Sequence, residues 1–202
     1  MDLARARLYY VTDDVSGERL EAALSGGVDI VQLRLKDAAD AKILEGARVV
    51  RSACDRHDAL FVLNDRPDLV EACHADGVHV GQGDASPSLA RMTVGPERIV
   101  GLSTHSRTQI EAAAGEPVDY IAVGPVFQTP TKPGRLPVGH ELVRFAAQTV
   151  RLPWFAIGGI DSRNAAEVLA AGAERLAVVR AIRDAADPAQ AAHTLRTALG
   201  NA

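Results

Sequence analysis

Short apolar runs alternate along the chain with stretches that repeat apolar residues every three or four positions. Eight runs read as strands: 8–12, 30–35, 60–64, 77–80, 99–103, 120–123, 154–157 and 176–179. They are continuously apolar, as expected of strands covered on both faces by other elements. Segments 17–24, 38–56, 67–75, 106–114, 139–150 and 162–171 carry helical periodicity. A short, interrupted helix is expected over 86–92, and 188–199 closes the chain. Eight strand–helix units is the count of a (β/α)8 TIM barrel, and ~200 residues is the lower limit of that fold. An open doubly wound sheet is the alternative, because periodicity does not report closure. No linker, low-complexity tract or charge block divides the chain, so 1–202 is expected to form a single (β/α)8-barrel domain.

The composition narrows the function classes. Charged residues are 24% and hydrophobic ones 47%, values of an ordinary globular enzyme. The formal net charge of −4 lacks the basic footprint of a nucleic-acid binder. Cys54 and Cys73 have no C-x-x-C spacing and read as buried free thiols. The first residues enter a strand without an apolar leader, and no stretch reaches the length of a membrane span. A cytoplasmic location is therefore expected, with small molecules as partners and neither nucleic acid nor membrane; self-association stays open.

In a parallel barrel, chemistry belongs at the C-terminal ends of the strands, and polar residues collect there. The second run ends in Gln32-Leu33-Arg34-Leu35-Lys36. A period of two aims Gln32, Arg34 and Lys36 to one side, where two cations point to an anion site at the barrel mouth. Charges snorkelling from a strand end are the plainer alternative. The third run ends in Asn64-Asp65 and the fourth is followed by Gly81-Gln82-Gly83-Asp84. Two carboxylates at neighbouring strand ends can hold a hard divalent cation whose shell is completed by phosphates. Asp65 could equally cap a helix beginning near Pro67, and Asp84 could serve a turn. Ser103 is expected to point into the mouth and Ser106 to cap the next helix. His105, His74 and His79 lack the spacing of a zinc site. The sixth run leads into Thr129-Pro130-Thr131-Lys132-Pro133-Gly134-Arg135, a polar loop suited to an anionic substrate or to a solvated turn. Gly158-Gly159 after the seventh run and Val179-Arg180 after the eighth lie where this fold often binds phosphate.

With these residues assembled, the chain resembles the thiamine phosphate synthase family over nearly its whole length. The matching segments, in the family's order, are LYYVTD, VQLRLK, LFVLND, ADGVHVGQGD, GLSTH, DYIAVGPVFQTPTK, FAIGGI and AVVRAI. The family joins a pyrimidine methyl diphosphate to a thiazole phosphate and releases pyrophosphate. The resemblance implies that Gln32, Arg34 and Lys36, with Leu33 and Leu35 between them, bind the diphosphate. It implies that Asn64 contacts the same substrate, that Asp65 and Asp84 hold Mg2+, and that Ser103 and Lys132 serve the pyrimidine diphosphate. Arg34, Lys36, Ser103 and Lys132 are thus the expected catalytic set. Thr129, Pro130 and Thr131 would approach the thiazole phosphate, and Gly158, Gly159, Val179 and Arg180 would cradle its phosphate. Many members carry Ser where this chain has Arg180. A related thiazole tautomerase would need an acid–base residue, for which His105 is the obvious choice. A non-catalytic phosphate-binding barrel would leave both Asp residues and Lys132 idle.

Overall fold

The computed structural model describes residues 2–130 and 136–200. Eight parallel strands close into a barrel in chain order: β1 (Leu8–Thr12), β2 (Ile30–Leu33), β3 (Leu60–Asn64), β4 (Gly77–Val80), β5 (Ile99–Thr104), β6 (Tyr120–Val123), β7 (Trp154–Ile157) and β8 (Leu176–Val178). Closure is made by Leu8, Tyr9 and Tyr10 of β1 pairing with Leu176, Ala177 and Val178 of β8. The open-sheet alternative is thereby excluded. Outside the strands lie α1 (Gly17–Ser25), α2 (Asp40–Arg56), α3 (Pro87–Val94), α4 (Arg107–Ala113), α5 (Gly139–Thr149), α6 (Ala165–Ala170), α7 (Arg180–Arg183) and α8 (Pro188–Leu199).

The strands are buried on both sides because each separates two cores. Alternate residues such as Leu8, Val31, Leu33, Phe61 and Val78 pack against the helices. Their neighbours Tyr9, Val11, Ile30, Val62, Tyr120 and Phe155 fill the barrel interior. Tyr9, Tyr120 and Phe155 meet edge to face there, with ring centroids 5.2–5.9 Å apart. The interior accommodates these rings because β5 supplies Gly101, where an added Cβ would lie 2.1 Å from the Tyr120 ring. Cys54 and Cys73 are buried and free, as expected.

Several boundaries differ from the sequence reading. The helix expected over 67–75 is only a 3-10 turn, Pro67–Leu69, with left-handed residues on either side at Asp65 (φ 61) and His74 (φ 52). β2 stops at Leu33 rather than 35: Arg34 N–H still donates to Thr12 O at 2.8 Å, and the chain then turns at a left-handed Asp37. β8 ends at Val178, and Val179 turns the chain into α7, an element that periodicity cannot reveal in four residues. α6 starts at Ala165 instead of 162 because Asp161 and Asn164 first build a turn, Asp161 N–H donating to Asn164 Oδ1 at 2.9 Å. Among the described residues, no helix is long and apolar enough to cross a membrane.

Candidate active site

The C-terminal ends of the strands carry two adjoining regions. Around β5 to β8 lies a cavity of about 260 Å³, with Ser103, His105, Thr129, Gly158, Gly159 and Arg180 in its wall. Around β2 to β4 lie Arg34, Asn64 and Asp65, each half-buried, and the exposed Asp84.

The glycines of the cavity wall answer to the protein's own packing. Gly158 and Gly159 have φ of 105° and 68°, which favours residues without a Cβ. A Cβ on Gly158 would lie 2.4 Å from Pro125, and one on Gly159 would lie 2.8 Å from Phe127. The loop after β6 is stitched to this segment by Val126 N–H to Ile157 O and Phe127 N–H to Gly158 O, both 2.9 Å. Hence β6 and β7 present their loops as one wall, and the sharp turn lays backbone rather than side chain along the cavity. Val179 and Arg180 continue the wall from β8, with the Arg180 side chain exposed. Thr129 also lines it, and the neighbouring Pro130 is exposed. Thr131 and Lys132 lie outside the described residues.

The region around β2 to β4 owes its geometry to two turns. Asp65 follows β3 in a left-handed conformation, its N–H donating to His79 O at 2.9 Å. Asp84 accepts from Gly81 N–H at 2.9 Å, so its turn role is real. A cap role for Asp65 is not seen: Arg66 occupies the cap position of the 3-10 turn, without a side-chain cap bond. The two carboxyl groups meet. Burial first, and then the charge and hydrogen bond of Asp84, push the Asp65 carboxyl above the ordinary carboxylate range, while Asn64 and the Arg34 guanidinium pull it down. Two hard oxygen donors held together against their repulsion suit a divalent cation. Among the described residues no third His, Cys, Asp or Glu joins them, so such an ion would take the rest of its shell from ligand oxygens and water.

The β2 residues divide. Gln32 is buried inside the barrel, its Nε2 donating to Tyr9 OH at 2.6 Å. Leu33 and Leu35 turn to the helix side, near Gly46 of α2, so only their backbone could reach a ligand at the mouth. Arg34 is half-buried and close enough to Asp65 to affect its charge. Lys36 is exposed in the turn beyond the strand, so the two-residue period does not set its direction.

Sequence reasoning gave no role to three polar groups inside the barrel, Tyr9, Tyr120 and His79. Tyr9, Tyr120 and His79 are buried, and they link Gln32 to Ser103 by successive contacts of 2.6, 2.8, 2.9 and 2.9 Å. A hydroxyl or imidazole at an inward position of an apolar strand is the signal that could have found them. Gln82, after β4, reaches across to donate to Ser103 O at 2.7 Å. Ser106 does cap α4, accepting from Gln109 N–H at 3.2 Å. His105 lines the cavity with Nδ1 against Gly124 O.

Comparison with known proteins places the chain within a family. A family model described as thiamine monophosphate synthase matches residues 8–182. A thiamine-phosphate synthase of Nostoc punctiforme is 48% identical over 188 residues, covering 92% of this chain and 54% of that protein. One of Acidothermus cellulolyticus is 49% identical over 197 residues, covering 94% of this chain and 93% of that protein. The chain thus spans about half the length of relatives such as the Nostoc protein and nearly all of others. The structure of a thiamine phosphate pyrophosphorylase from Pyrococcus furiosus superposes with a TM-score of 0.89 at 33% identity, covering 98% of this chain and 96% of that one.

Proposed function

The chain belongs to the thiamine monophosphate synthase family, and from that premise we propose that it joins a pyrimidine methyl diphosphate to a thiazole phosphate, releasing pyrophosphate. The observation that carries this reading is the pairing of two unlike regions at one barrel end. A cation and two touching carboxylates lie beside a cavity walled by Gly158, Gly159, Val179 and Arg180.

In this reading Arg34 and Lys36, with Lys132, bind the diphosphate and hold positive charge where the leaving group becomes more negative. Asn64 orients the same group, and Gln32 contributes through the interior. Breaking the CH2–O bond leaves a cation stabilised by the electron-rich aminopyrimidine. The thiazole nitrogen then attacks it, so no side-chain nucleophile is required. Ser103 contacts the pyrimidine substrate from β5. Thr129, Pro130 and Thr131 position the thiazole, whose phosphate lies on the Gly158–Gly159 and Val179–Arg180 wall. Asp65 and Asp84 would hold Mg2+, which when bound supplies charge that offsets the build-up on departing pyrophosphate. Burial of the reacting groups in the cavity excludes water, which would otherwise capture the pyrimidine cation.

The test is pyrophosphate release from the purified protein. Release that requires both substrates and stops on chelation of divalent cations is the expected result. Conversion of a thiazole isomer without the pyrimidine diphosphate would instead support a tautomerase, a reading that His105 in the cavity wall keeps in view. Binding of either phosphate without turnover would overturn both.

A further inference from the structure

The chain of polar groups inside the barrel has one consistent set of protons. Gln32 presents Nε2, a donor only, to Tyr9 OH at 2.6 Å. The Tyr9 hydroxyl has a single proton, and its other partner is Tyr120 OH at 2.8 Å. With Tyr9 donating, Tyr120 must donate onward to His79 Nδ1 at 2.9 Å. Nδ1 then accepts, so the ring proton sits on Nε2, which faces Ser103 Oγ at 2.9 Å. Any other assignment leaves a buried tyrosine hydroxyl proton without an acceptor along this chain, which buried polar groups rarely tolerate. Burial pushes both phenols well up, so each keeps its proton at ordinary pH. Ser103 therefore receives a hydrogen bond from within and has its own proton free to face the cavity it lines.

Resting on the proposed function, we infer that Tyr9 and Tyr120 are positioning residues that lock His79 in its Nε2–H form and so present Ser103 to the pyrimidine diphosphate as a hydrogen-bond donor. The five side chains come from β2, β1, β6, β4 and β5 in the order of the chain, so the information passes across the barrel interior. A polar chain in an otherwise apolar interior is costly unless fully satisfied. The inferred return is a hydroxyl of fixed direction at the mouth. The group it meets must be an acceptor, such as a diphosphate oxygen.

Two measurements test this. Two-bond proton–nitrogen correlation spectra of 15N-histidine protein report the tautomer directly: wild type is expected to show His79 with the proton on Nε2, and Tyr120→Phe to lose that single form. A wild-type ring protonated on Nδ1 overturns the inference, whatever the protein catalyses, because the chain then runs the other way. The kinetic measurement is a double-mutant cycle. Tyr120→Phe is expected to raise KM for the pyrimidine diphosphate about tenfold, with KM for the thiazole phosphate unchanged. In a Ser103→Ala background the same change should cost less than about twofold, because its route to the substrate is gone. Equal losses in both backgrounds would mean that Tyr120 acts through packing alone and would overturn the inference. Tyr9→Phe, one link further away, repeats the cycle if Tyr120→Phe folds poorly. Failure of the proposed reaction is visible separately, as wild-type protein that releases no pyrophosphate.

Discussion

The two ends of the barrel use the same residue type in opposite ways. At the floor, an aspartate stands immediately before β2, β4 and β6: Asp29, Asp76 and Asp119. Each accepts backbone N–H groups from the preceding strand region and a guanidinium from the helix layer. Asp29 takes Arg7 and Leu8 N–H at 2.7 and 2.9 Å and Arg196 at 2.6 Å. Asp76 takes Phe61 N–H at 2.7 Å and Arg51 at 2.8 Å. Asp119 takes Val100 N–H at 2.7 Å and Arg91 at 2.5 Å. Before β8 the pattern inverts, and Arg175 donates to the carbonyls of Ala6 and Ala4. At the mouth, Asp65 instead meets another carboxyl, Asp84, and Arg34 acts on it only by charge at longer range. Floor carboxylates are satisfied by the fold. The Asp65 carboxyl is instead held in a state that a bound cation would relieve, the division between stability and chemistry expected of this architecture.

The largest effect should come from breaking the floor. Asp29→Ala leaves two backbone N–H groups and Arg196 without their acceptor at a site where the carboxylate is 8% exposed. It should cost about 3 kcal/mol of unfolding free energy, read from urea denaturation. A loss below about 1 kcal/mol would place floor and mouth in the same class, within the range of ordinary surface changes.

The mouth should respond in the reverse sense. Asp65→Asn removes a like-charge contact, so its stability at neutral pH should match or slightly exceed wild type, within about 1 kcal/mol. Activity at limiting Mg2+ should fall at least about tenfold. Unchanged activity at limiting Mg2+ would remove Asp65 from the metal site. The sign of the pH dependence sharpens the contrast. The native carboxyl holds its proton to higher pH than the unfolded one, because burial and Asp84 disfavour its charge. Metal-free protein should therefore lose stability as pH rises from the ordinary carboxylate value through the raised one, and Asp65→Asn should lack that decline. Thermal melts across acid to neutral pH would show it, and parallel profiles would refute it.

The smallest effect is expected at Arg180. Its side chain is exposed, while the neighbouring wall is backbone at Gly158 and Gly159. Arg180→Ser should raise KM for thiazole phosphate only a few-fold, in keeping with a solvent-screened contact of about 1 kcal/mol or less. A rise of about a hundredfold with an unchanged melting temperature would mean a desolvated bidentate contact instead.

Much of this was legible in the chain. Five of the eight strands, β1, β3, β4, β6 and β7, carry the boundaries read from their apolar runs. The polar residues at their C-terminal ends were visible as interruptions of those runs. Lost from view were the features that depend on short or irregular backbone. α7 is four residues long, the 3-10 turn replaces a helix whose pattern looked sound, and β2 ends two residues early. Lys36 shows the consequence: a periodicity argument holds only while the strand lasts.

What the sequence determined alone was local: eight covered strands, the helices between them, and glycines where the chain must turn sharply. Closure of the barrel decided the rest, because register brings together residues that no pattern relates. It set Asp65 against Asp84, placed the loop after β6 where a Cβ on Gly158 or Gly159 would collide with it, and directed Gln32 inward to Tyr9. Periodicity reports which face of an element is apolar, whereas the identity of the residue opposite follows only from strand order and stagger.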